Sequence, residues 1–281
     1  MKVLQTLLFL IFTSCANSPL RIYTSTNKES VFHKDGLWKL SDEKIEVMLE
    51  SDRDLITRAL LKCHQKESKV GLGIINDNYT KLSKDDQVWN IRTVCHILAK
   101  NYDEALLSVD RGLLTVKNNE SLKIKLLHNK ALIFHKIEHF TEAEILYKEV
   151  LKLSPTLYST QYNLGLLYLQ YNLLSEAKSY LIPLLKVAPN DIDLLSSIGI
   201  TFALEGQYIK GIQYFEQIPS VNRKREDIAL YYSLALIGAK RFDEAKIVLK
   251  DQDVPFISGI RQMSRSLQKM VEEHLKTIAA K

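Results

Sequence analysis

The stretch TQYNLGLLYLQYNLLSEAKSYLIPLLKVAPN, residues 160–190, contains the pattern that decides the fold of this chain. It has two apolar segments, and a small residue lies early in each of them, Gly165 in the first and Ala177 in the second. Small residues at these places let two backbones approach closely. Pro189 ends the second segment, because proline lacks an N–H donor and disfavours helix in the residue before it. The spacing of these residues matters more than their identity, since it recurs along the chain.

The recurrence has a period of 34 residues. Five segments begin with a large apolar residue that is followed three positions later by Ala or Gly, as in YDEAL, FTEAE and FDEAK. The small residues of the five segments are separated by 38, 34, 34 and 34 positions, and Gly71 lies 34 positions before the first of them. Self-similarity at a fixed period of this length is the signature of a repeat architecture. The recurring positions are Trp89, Ala105, Ala131, Phe134, Ala143, Gly165, Tyr168, Ala177, Gly199, Gly211 and Ala245.

This pattern resembles the tetratricopeptide repeat, a unit of two antiparallel helices in about 34 residues. The fourth copy carries most of the family pattern in Leu164, Gly165, Tyr168, Ala177 and Pro189. The resemblance implies an all-α protein, a right-handed superhelix of about six helix-turn-helix units. A C-terminal capping helix is expected to cover the last unit.

The register of the pattern places the repeat domain at residues 41–281. Within it, Pro183 falls inside the second helix of the fourth unit, where the missing N–H is expected to kink the helix. The capping helix is expected at residues 256–279, and a helix that binds a membrane or a partner is the alternative for this segment. The six units are expected at residues 52–85, 86–119, 124–157, 158–191, 192–225 and 226–259.

The N-terminus, MKVLQTLLFLIFTSC, has the features of an export signal over residues 1–15. Lys2 gives it a positive start, and its apolar core is too short for a bilayer span, which needs about 20 residues. Its end, FTSC, resembles the bacterial lipobox, which implies that Cys15 is acylated and anchors the chain to a membrane. The alternative is ordinary signal cleavage. Residues 16–40 are polar and turn-rich, which is typical of a flexible tether.

The two remaining cysteines, Cys63 and Cys95, have two interpretations. In an exported protein they could form a disulfide. However, their positions in the repeats do not require their side chains to meet. Separate buried thiols are therefore the favoured interpretation, since free cysteine behaves as a small core hydrophobe.

The amino-acid composition restricts the classes of function that this chain can have. The 281 residues are 46% hydrophobic and 25% charged with a formal net charge of +5, which is typical of a globular protein with a mild charge. The densest basic run, Arg223-Lys224-Arg225, indicates a solvated turn better than a nucleic-acid surface.

The sequence contains few residues in patterns that carry chemistry. Phosphate-binding loops, nucleophile elbows and metalloprotease motifs do not occur. His135 and His139 are four positions apart, but His139 falls in a turn and no third ligand is evident, so a solvent-facing pair is favoured over a zinc site. The sequence therefore predicts no enzyme, no metal or other cofactor, and neither a nucleic acid nor a small molecule as ligand.

The resemblance also implies a concave peptide-binding groove lined by the first helices of the units. In peptide-binding members of the family, asparagine at the positions of Asn129 and Asn163 hydrogen-bonds a ligand backbone. The Ile, Leu and Tyr positions favour an apolar helix or extended segment of a partner protein. The family's groove positions fall on Asn90, Lys125, His128, Asn129, Leu132, Tyr162, Asn163, Leu166, Ile200, Tyr231 and Leu234.

The combination of a lipobox, a tether and about six repeats resembles the pilotin lipoproteins of type IV and tight-adherence pilus systems. That resemblance implies a scaffold on the periplasmic face of the outer membrane that assists assembly of an envelope complex such as a pilus secretin. One alternative is a barrel-assembly lipoprotein with tetratricopeptide units. The other is a soluble periplasmic adaptor or chaperone that regulates a cell-wall enzyme.

Overall fold

The computed structural model describes residues 55–250 and 258–279, and all regular secondary structure in these residues is helical. The predicted all-α class is thereby confirmed. The described chain divides into two compact units, residues 55–167 and residues 168–279. The predicted signal peptide with Cys15 and the predicted tether lie outside the described residues.

In the first unit the longer helices pack as successive pairs. α1 packs on α2, α4 on α5 and α6 on α7, and the first helix of each pair also contacts the first helix of the next. The last three residues of α8 belong to the second unit. The helices are α1 (Leu55–His64), α2 (Ser68–Asp77), α3 (Tyr79–Leu82), α4 (Gln87–Leu98), α5 (Tyr102–Thr115), α6 (Glu120–Lys136), α7 (Phe140–Leu153) and α8 (Tyr158–Gln170).

The second unit repeats this arrangement. α10 packs on α11 and α13 on α14, and α13 also contacts both helices of the preceding pair. Asp191 begins α10 by accepting a hydrogen bond from the Leu194 N–H at 2.9 Å, which satisfies one of the free donors of the first turn. The helices are α9 (Leu174–Leu181), a 3₁₀ helix (Ile182–Lys186), α10 (Ile192–Leu204), α11 (Tyr208–Gln217), α12 (Ser220–Arg223), α13 (Glu226–Gly238), α14 (Phe242–Lys250) and α15 (Ser258–Ala279).

A residue with positive φ follows α8 and the first helix of each of the five described pairs. At Gly206, for example, the glycine N–H donates to Ala203 O at 3.1 Å, and the Gln207 N–H donates to Phe202 O at 2.9 Å. These two bonds form a left-handed C-cap, which satisfies carbonyls that the helix leaves free. The positive-φ residues are Lys66, Lys100, Glu138, Asn172, Gly206 and Lys240, so their spacings are 34, 38, 34, 34 and 34.

Two glycines show where paired helices come closest. A Cβ added to Gly211 of α11 would lie 2.9 Å from Gly199 O of α10. A Cβ added to Gly71 of α2 would lie 2.6 Å from Ala59 O of α1 and would overlap Cys63 Sγ. A larger residue at either place would have to move backbone.

Cys63 of α1 and Cys95 of α4 form a disulfide, with Cα atoms 5.1 Å apart. The interpretation as separate thiols was therefore wrong. The two helices are neighbouring first helices that pack directly on each other, so both cysteines point into one apolar cluster, which also contains Ile75 and Ile91. Both cysteines are almost completely buried.

Pro183 lies at the point where the helix that begins with α9 changes geometry. The α-helix ends at Leu181, and the chain continues as the 3₁₀ helix Ile182–Lys186. The change follows from the missing N–H of proline, which cannot donate the bond that would continue the α-helix. The predicted interruption thus takes the form of a tighter final turn.

α15 covers α13 and α14 with its apolar side. Leu267 and Val271 are buried, whereas Arg265 and Lys269 are exposed, and the His274 ring stacks on Phe242 with ring centroids 3.7 Å apart. This arrangement is that of a helix that closes the end of a repeat array. Among the described helices, none combines the length and apolarity that a bilayer crossing requires.

Candidate functional site

The predicted groove positions all lie on first helices of pairs, but the structure separates them by exposure. Three of them, Lys125 on α6 and Tyr162 and Asn163 on α8, are half-buried and can meet a ligand. The buried ones are Asn90, His128, Asn129, Leu132, Leu166, Ile200, Tyr231 and Leu234.

Asn129 is wholly buried and bonds to another repeat instead of facing a groove. Its Nδ2 donates to Asn90 Oδ1 at 2.9 Å, which joins α6 to α4. The expectation that Asn129 hydrogen-bonds a ligand backbone was therefore wrong for this arrangement. The reason is that neighbouring first helices pack closely enough for their amide side chains to meet.

His128 is also wholly buried, and its Nδ1 lies 2.8 Å from Thr160 Oγ1 on α8. Burial lowers the pKa of His128 to about 4, because the apolar surroundings disfavour the imidazolium. The ring is therefore neutral at neutral pH. It stabilises the contact between two first helices and offers no charge to a ligand.

The accessible part of the predicted groove in the first unit combines polar groups with an apolar edge. Lys125 supplies an ammonium group, Asn163 an amide and Tyr162 an aromatic ring. Leu166, at the edge of this surface, is 8% exposed to solvent. Such a surface can bond a peptide backbone and contact an apolar side chain. In the second unit, Ile200, Tyr231 and Leu234 are buried, so the predicted apolar groove positions there belong to the core.

The predicted solvent-facing histidine pair was half wrong. His135 is buried, and its Nδ1 lies 3.4 Å from the Tyr147 hydroxyl oxygen. His139 is exposed as expected. Its Nδ1 lies 3.4 Å from Glu142 Oε1, and its ring stacks on the Phe134 ring. In the part of the chain that the structure describes, no three His, Cys, Asp or Glu side chains converge as metal ligands.

The basic run Arg223-Lys224-Arg225 is only partly the solvated turn that was predicted. The Arg225 guanidinium donates hydrogen bonds to Asp193 Oδ1 and to Asp227 Oδ2, each at 2.7 Å. Arg225 therefore joins the start of α13 to the start of α10. Burial raises the pKa of Asp193 to about 6 and outweighs the opposing effect of Arg225. Arg225 is therefore a structural link.

Comparison with known proteins identifies the repeat. Residues 124–157, which include most of α6 and all of α7, match the family model of the tetratricopeptide repeat. No curated protein sequence matches this chain.

Several solved structures have the same fold. PilW, a widely conserved type IV pilus biogenesis factor, is 17% identical with a TM-score of 0.60, and the match covers 79% of this chain and 98% of PilW. The C-terminal part of a tetratricopeptide-repeat protein from Cytophaga hutchinsonii is 14% identical with a TM-score of 0.55, over 70% of this chain and 77% of that one. A MamA fragment from Desulfovibrio magneticus RS-1 is 16% identical with a TM-score of 0.51, over 60% and 98%.

At these identities the likeness shows the fold. Together with the helix pairs and the six left-handed turns, it confirms the predicted resemblance. The chain has the all-α fold of tetratricopeptide proteins, and residues 124–157 are one tetratricopeptide repeat within it.

Proposed function

We propose that this chain is a non-enzymatic scaffold, an outer-membrane lipoprotein that assists assembly of an envelope complex such as a pilus secretin. The observation that carries the scaffold role is the tetratricopeptide fold with a half-buried row of Lys125, Tyr162 and Asn163 on its first helices. The fold it shares with PilW, a type IV pilus biogenesis factor, supports the choice of a pilus complex.

The disulfide between Cys63 and Cys95 supports export. Disulfides persist in oxidising compartments such as the bacterial periplasm and are rare in the cytosol. This agrees with the export signal of residues 1–15, and acylation of Cys15 would then keep the repeats at a membrane surface.

The partner of this scaffold is an apolar helix or extended segment of an envelope protein. Tyr162 would contact its apolar side chains, and Asn163 would bond its backbone. Since His128 and Asn129 are enclosed, the contact surface is smaller than the one that the sequence predicts.

Two measurements test this proposal. The intact mass of the mature chain from a membrane fraction, beside a Cys15→Ala control, should show an acylated N-terminal cysteine. A photo-crosslinking residue in place of Lys125 should capture an envelope protein, whereas the same residue in place of Lys269 on the exposed side of α15 should not. An unmodified chain in the soluble fraction would favour the free periplasmic adaptor, and equal capture from both positions would exclude the first helices as the binding surface.

A further inference from the structure

A cavity in the second unit lies between two neighbouring left-handed turns, the turn that joins α10 to α11 and the turn that joins α13 to α14. Its volume is about 490 Å³, which is within the usual range for sites that bind small molecules. Residues 206–210 and 238–240 line it, and none of the predicted groove positions is among them. We name it the turn cavity.

The charged side chains of the cavity wall are those of two lysines, Lys210 and Lys240. Lys240 is the left-handed residue that follows α13, and within the described residues its ammonium group forms neither an ion pair nor a hydrogen bond. The Lys210 ammonium donates to the neutral Gln207 Oε1 at 2.8 Å and lies 5.6 Å from the centroid of the Phe202 ring. Neither contact of Lys210 supplies a negative charge.

The acidic residues next to these turns do not balance the two lysines. Glu205 accepts hydrogen bonds from Lys178 Nζ at 2.6 Å and from Gln207 Nε2 at 2.9 Å, so a lysine of α9 balances its charge. Asp243, three residues after Lys240, is not part of the cavity wall and forms no ion pair in the described part of the chain.

Two further acids, Glu216 of α11 and Glu244 of α14, share Arg241. Neither contributes a group to the wall of the turn cavity. The wall therefore carries two positive charges and no negative charge, which favours an anion as the ligand.

Tyr208 adds a neutral donor to the same wall. Its ring lies directly against α13, since a Cβ added to Gly238 would be 2.5 Å from the ring carbons. Its hydroxyl oxygen lies 3.9 Å from the place that a Cβ of Gly206 would take, and this hydroxyl has no hydrogen-bond partner among the described residues. Burial raises the pKa of Tyr208, so the hydroxyl keeps its proton at neutral pH and can donate a hydrogen bond.

α11 begins in the cavity wall and adds backbone donors. Gln207 precedes the helix without a side-chain cap, so the N–H groups of the first turn have no acceptor within the helix. Such groups, together with the positive end of the helix dipole, favour an anion. Beside them, the Ile209 side chain is 58% exposed and offers an apolar contact.

We propose that the turn cavity binds the phosphate group of a small organic phosphate. Lys210, Lys240 and the Tyr208 hydroxyl donate to the phosphate oxygens, and the organic part of the ligand packs on Ile209. A phosphate suits these donors better than a carboxylate does, because ammonium groups act as point charges and a phosphate spreads its acceptor oxygens around one atom. The site goes beyond the proposed scaffold function and does not depend on it, since it uses none of the first-helix groove residues.

The test uses the full chain and follows the NMR shifts of the Gly206, Ile209 and Ala239 amides while a ligand is added. Glycerol 3-phosphate is the soluble probe, and dihexanoyl phosphatidylglycerol below its critical micelle concentration presents a phosphate on a lipid headgroup. Saturable shifts at these amides are expected, and higher salt should weaken the binding because the lysines are partly exposed. Tighter binding of the first probe identifies the source as a soluble phosphate ester, and tighter binding of the second identifies it as a lipid headgroup.

Lys240→Gly is the most informative variant, because it separates binding from stability. It removes one of the two charges and places glycine at a positive φ, so thermal stability should rise while binding weakens by about tenfold. Lys100→Gly makes the same change in the equivalent turn of the first unit and should leave binding unchanged. Lys210→Gln at an exposed position should weaken binding several-fold with unchanged melting, and Tyr208→Phe should also weaken it by removing only the hydroxyl.

Four results overturn the proposal. They are the absence of amide shifts with both probes, unchanged affinity in Lys240→Gly and Lys210→Gln, equal shifts with glycerol in place of its phosphate, and binding of inorganic phosphate as tight as that of either ester. Equal binding of glycerol would mean that the lysines do not select an anion. Equal binding of inorganic phosphate would mean an adventitious ion only, with no role for Ile209.

Discussion

Residues 55–167 and residues 168–279 build helix pairs on the same period but join their helices with different side chains. In the first unit, buried polar groups connect separate helices, as Asn129 does with Asn90 and His128 with Thr160. The disulfide adds a covalent connection between α1 and α4. The histidine link depends on protonation and the disulfide depends on oxidation state, whereas the amide pair depends on neither.

In the second unit, one ion pair, Arg225 with Asp193, joins the first helices α13 and α10, whereas other contacts are made by ring packing, by close approach of backbones and by a hydrogen bond within one helix. The Thr201 hydroxyl donates to the Ser197 carbonyl of its own helix at 2.7 Å. Contact between α11 and α13 is made by the Phe215 and Tyr232 rings, and Gly211 lets α11 approach α10. The difference teaches that one backbone period accommodates two kinds of interior, and the two units should therefore respond differently to reductant and to pH.

The largest expected difference concerns the disulfide. Replacing Cys63 and Cys95 by Ser, in a Cys15→Ala background, should destabilise the first unit by about 3–4 kcal/mol, because the crosslink no longer restricts the unfolded chain. Hydrogen exchange in denaturant should show earlier opening of α1 to α4, with α10 to α14 unchanged.

The Cys15→Ala chain with the disulfide intact is the control, and reductant applied to it should reproduce the effect of the double substitution. Equal loss of protection in both units would show that the disulfide does not act locally. No loss in either would show that the two cysteines do not pair.

The next largest difference between the units should be how their stability responds to acidic pH. His128 has a pKa of about 4 in the folded chain, below its unfolded value of 6.5, so the unfolded chain binds more protons between these values. Stability from His128 is complete above pH 6.5 and decreases as the pH falls towards 4, by about 3 kcal/mol in all. Native-state hydrogen exchange at pH 4.5 and pH 7.5 should show α6 and α8 opening more readily at the lower pH.

Asp193 in the second unit should have the opposite effect. Its folded pKa of about 6 lies above its ordinary value of 3.8, so the folded chain binds more protons between these values and stability at α10 decreases as the pH rises towards 6. His128→Gln should flatten the acid response of α6 and leave that of α10 intact. If α6 and α10 respond with the same sign in the wild type, the contrast between the two interiors is wrong.

Much of the fold was predictable because the sequence repeats. The period, the helix pairs and the small residues at close contacts, such as Gly211, follow from residue type and spacing alone. The left-handed turns were harder to predict from the sequence. Lys66, Lys100 and Lys240 occupy positions where glycine or asparagine would have indicated a positive φ.

Links between repeats were missed for a different reason. Equivalent positions of neighbouring repeats are 34 apart, but three observed links join residues 32 apart, a shift of about 3 Å along a helix. These links are Cys63 with Cys95, His128 with Thr160, and Asp193 with Arg225. A search for compatible pairs at that separation would have found all three.

Exposure in the candidate site could not be predicted from residue type. Asn163 and Asn129 occupy the same repeat position, yet Asn163 is half-buried and Asn129 is enclosed by its bond to Asn90. The difference depends on which side chain the neighbouring helix presents, and a repeat pattern does not specify that.

Adding a methyl group at a helical glycine should change the free energy of unfolding by a smaller amount, and with opposite sign in the two units. Gly211→Ala in the second unit places a Cβ 2.9 Å from Gly199 O and should cost about 1–3 kcal/mol. Gly73→Ala in the first unit meets nothing within 4 Å and should stabilise by up to about 1 kcal/mol, because alanine favours helix more than glycine. Urea unfolding of the two variants should therefore shift in opposite directions, and shifts in the same direction would contradict the close approach of α10 and α11.

The smallest expected difference lies in the turns. Lys100 ends α4 of the first unit at a φ of 62°, whereas Gly206 ends α10 of the second at 78°. A side chain in this region clashes with its own backbone, so Lys100→Gly should stabilise and Gly206→Lys should destabilise, each by about 1 kcal/mol. The reciprocal changes exchange the same two residue types between units, and thermal melting should show opposite shifts of similar size. If Lys100→Gly destabilises instead, contacts of the lysine side chain outweigh its backbone strain, and the first unit depends on side-chain links even in its turns.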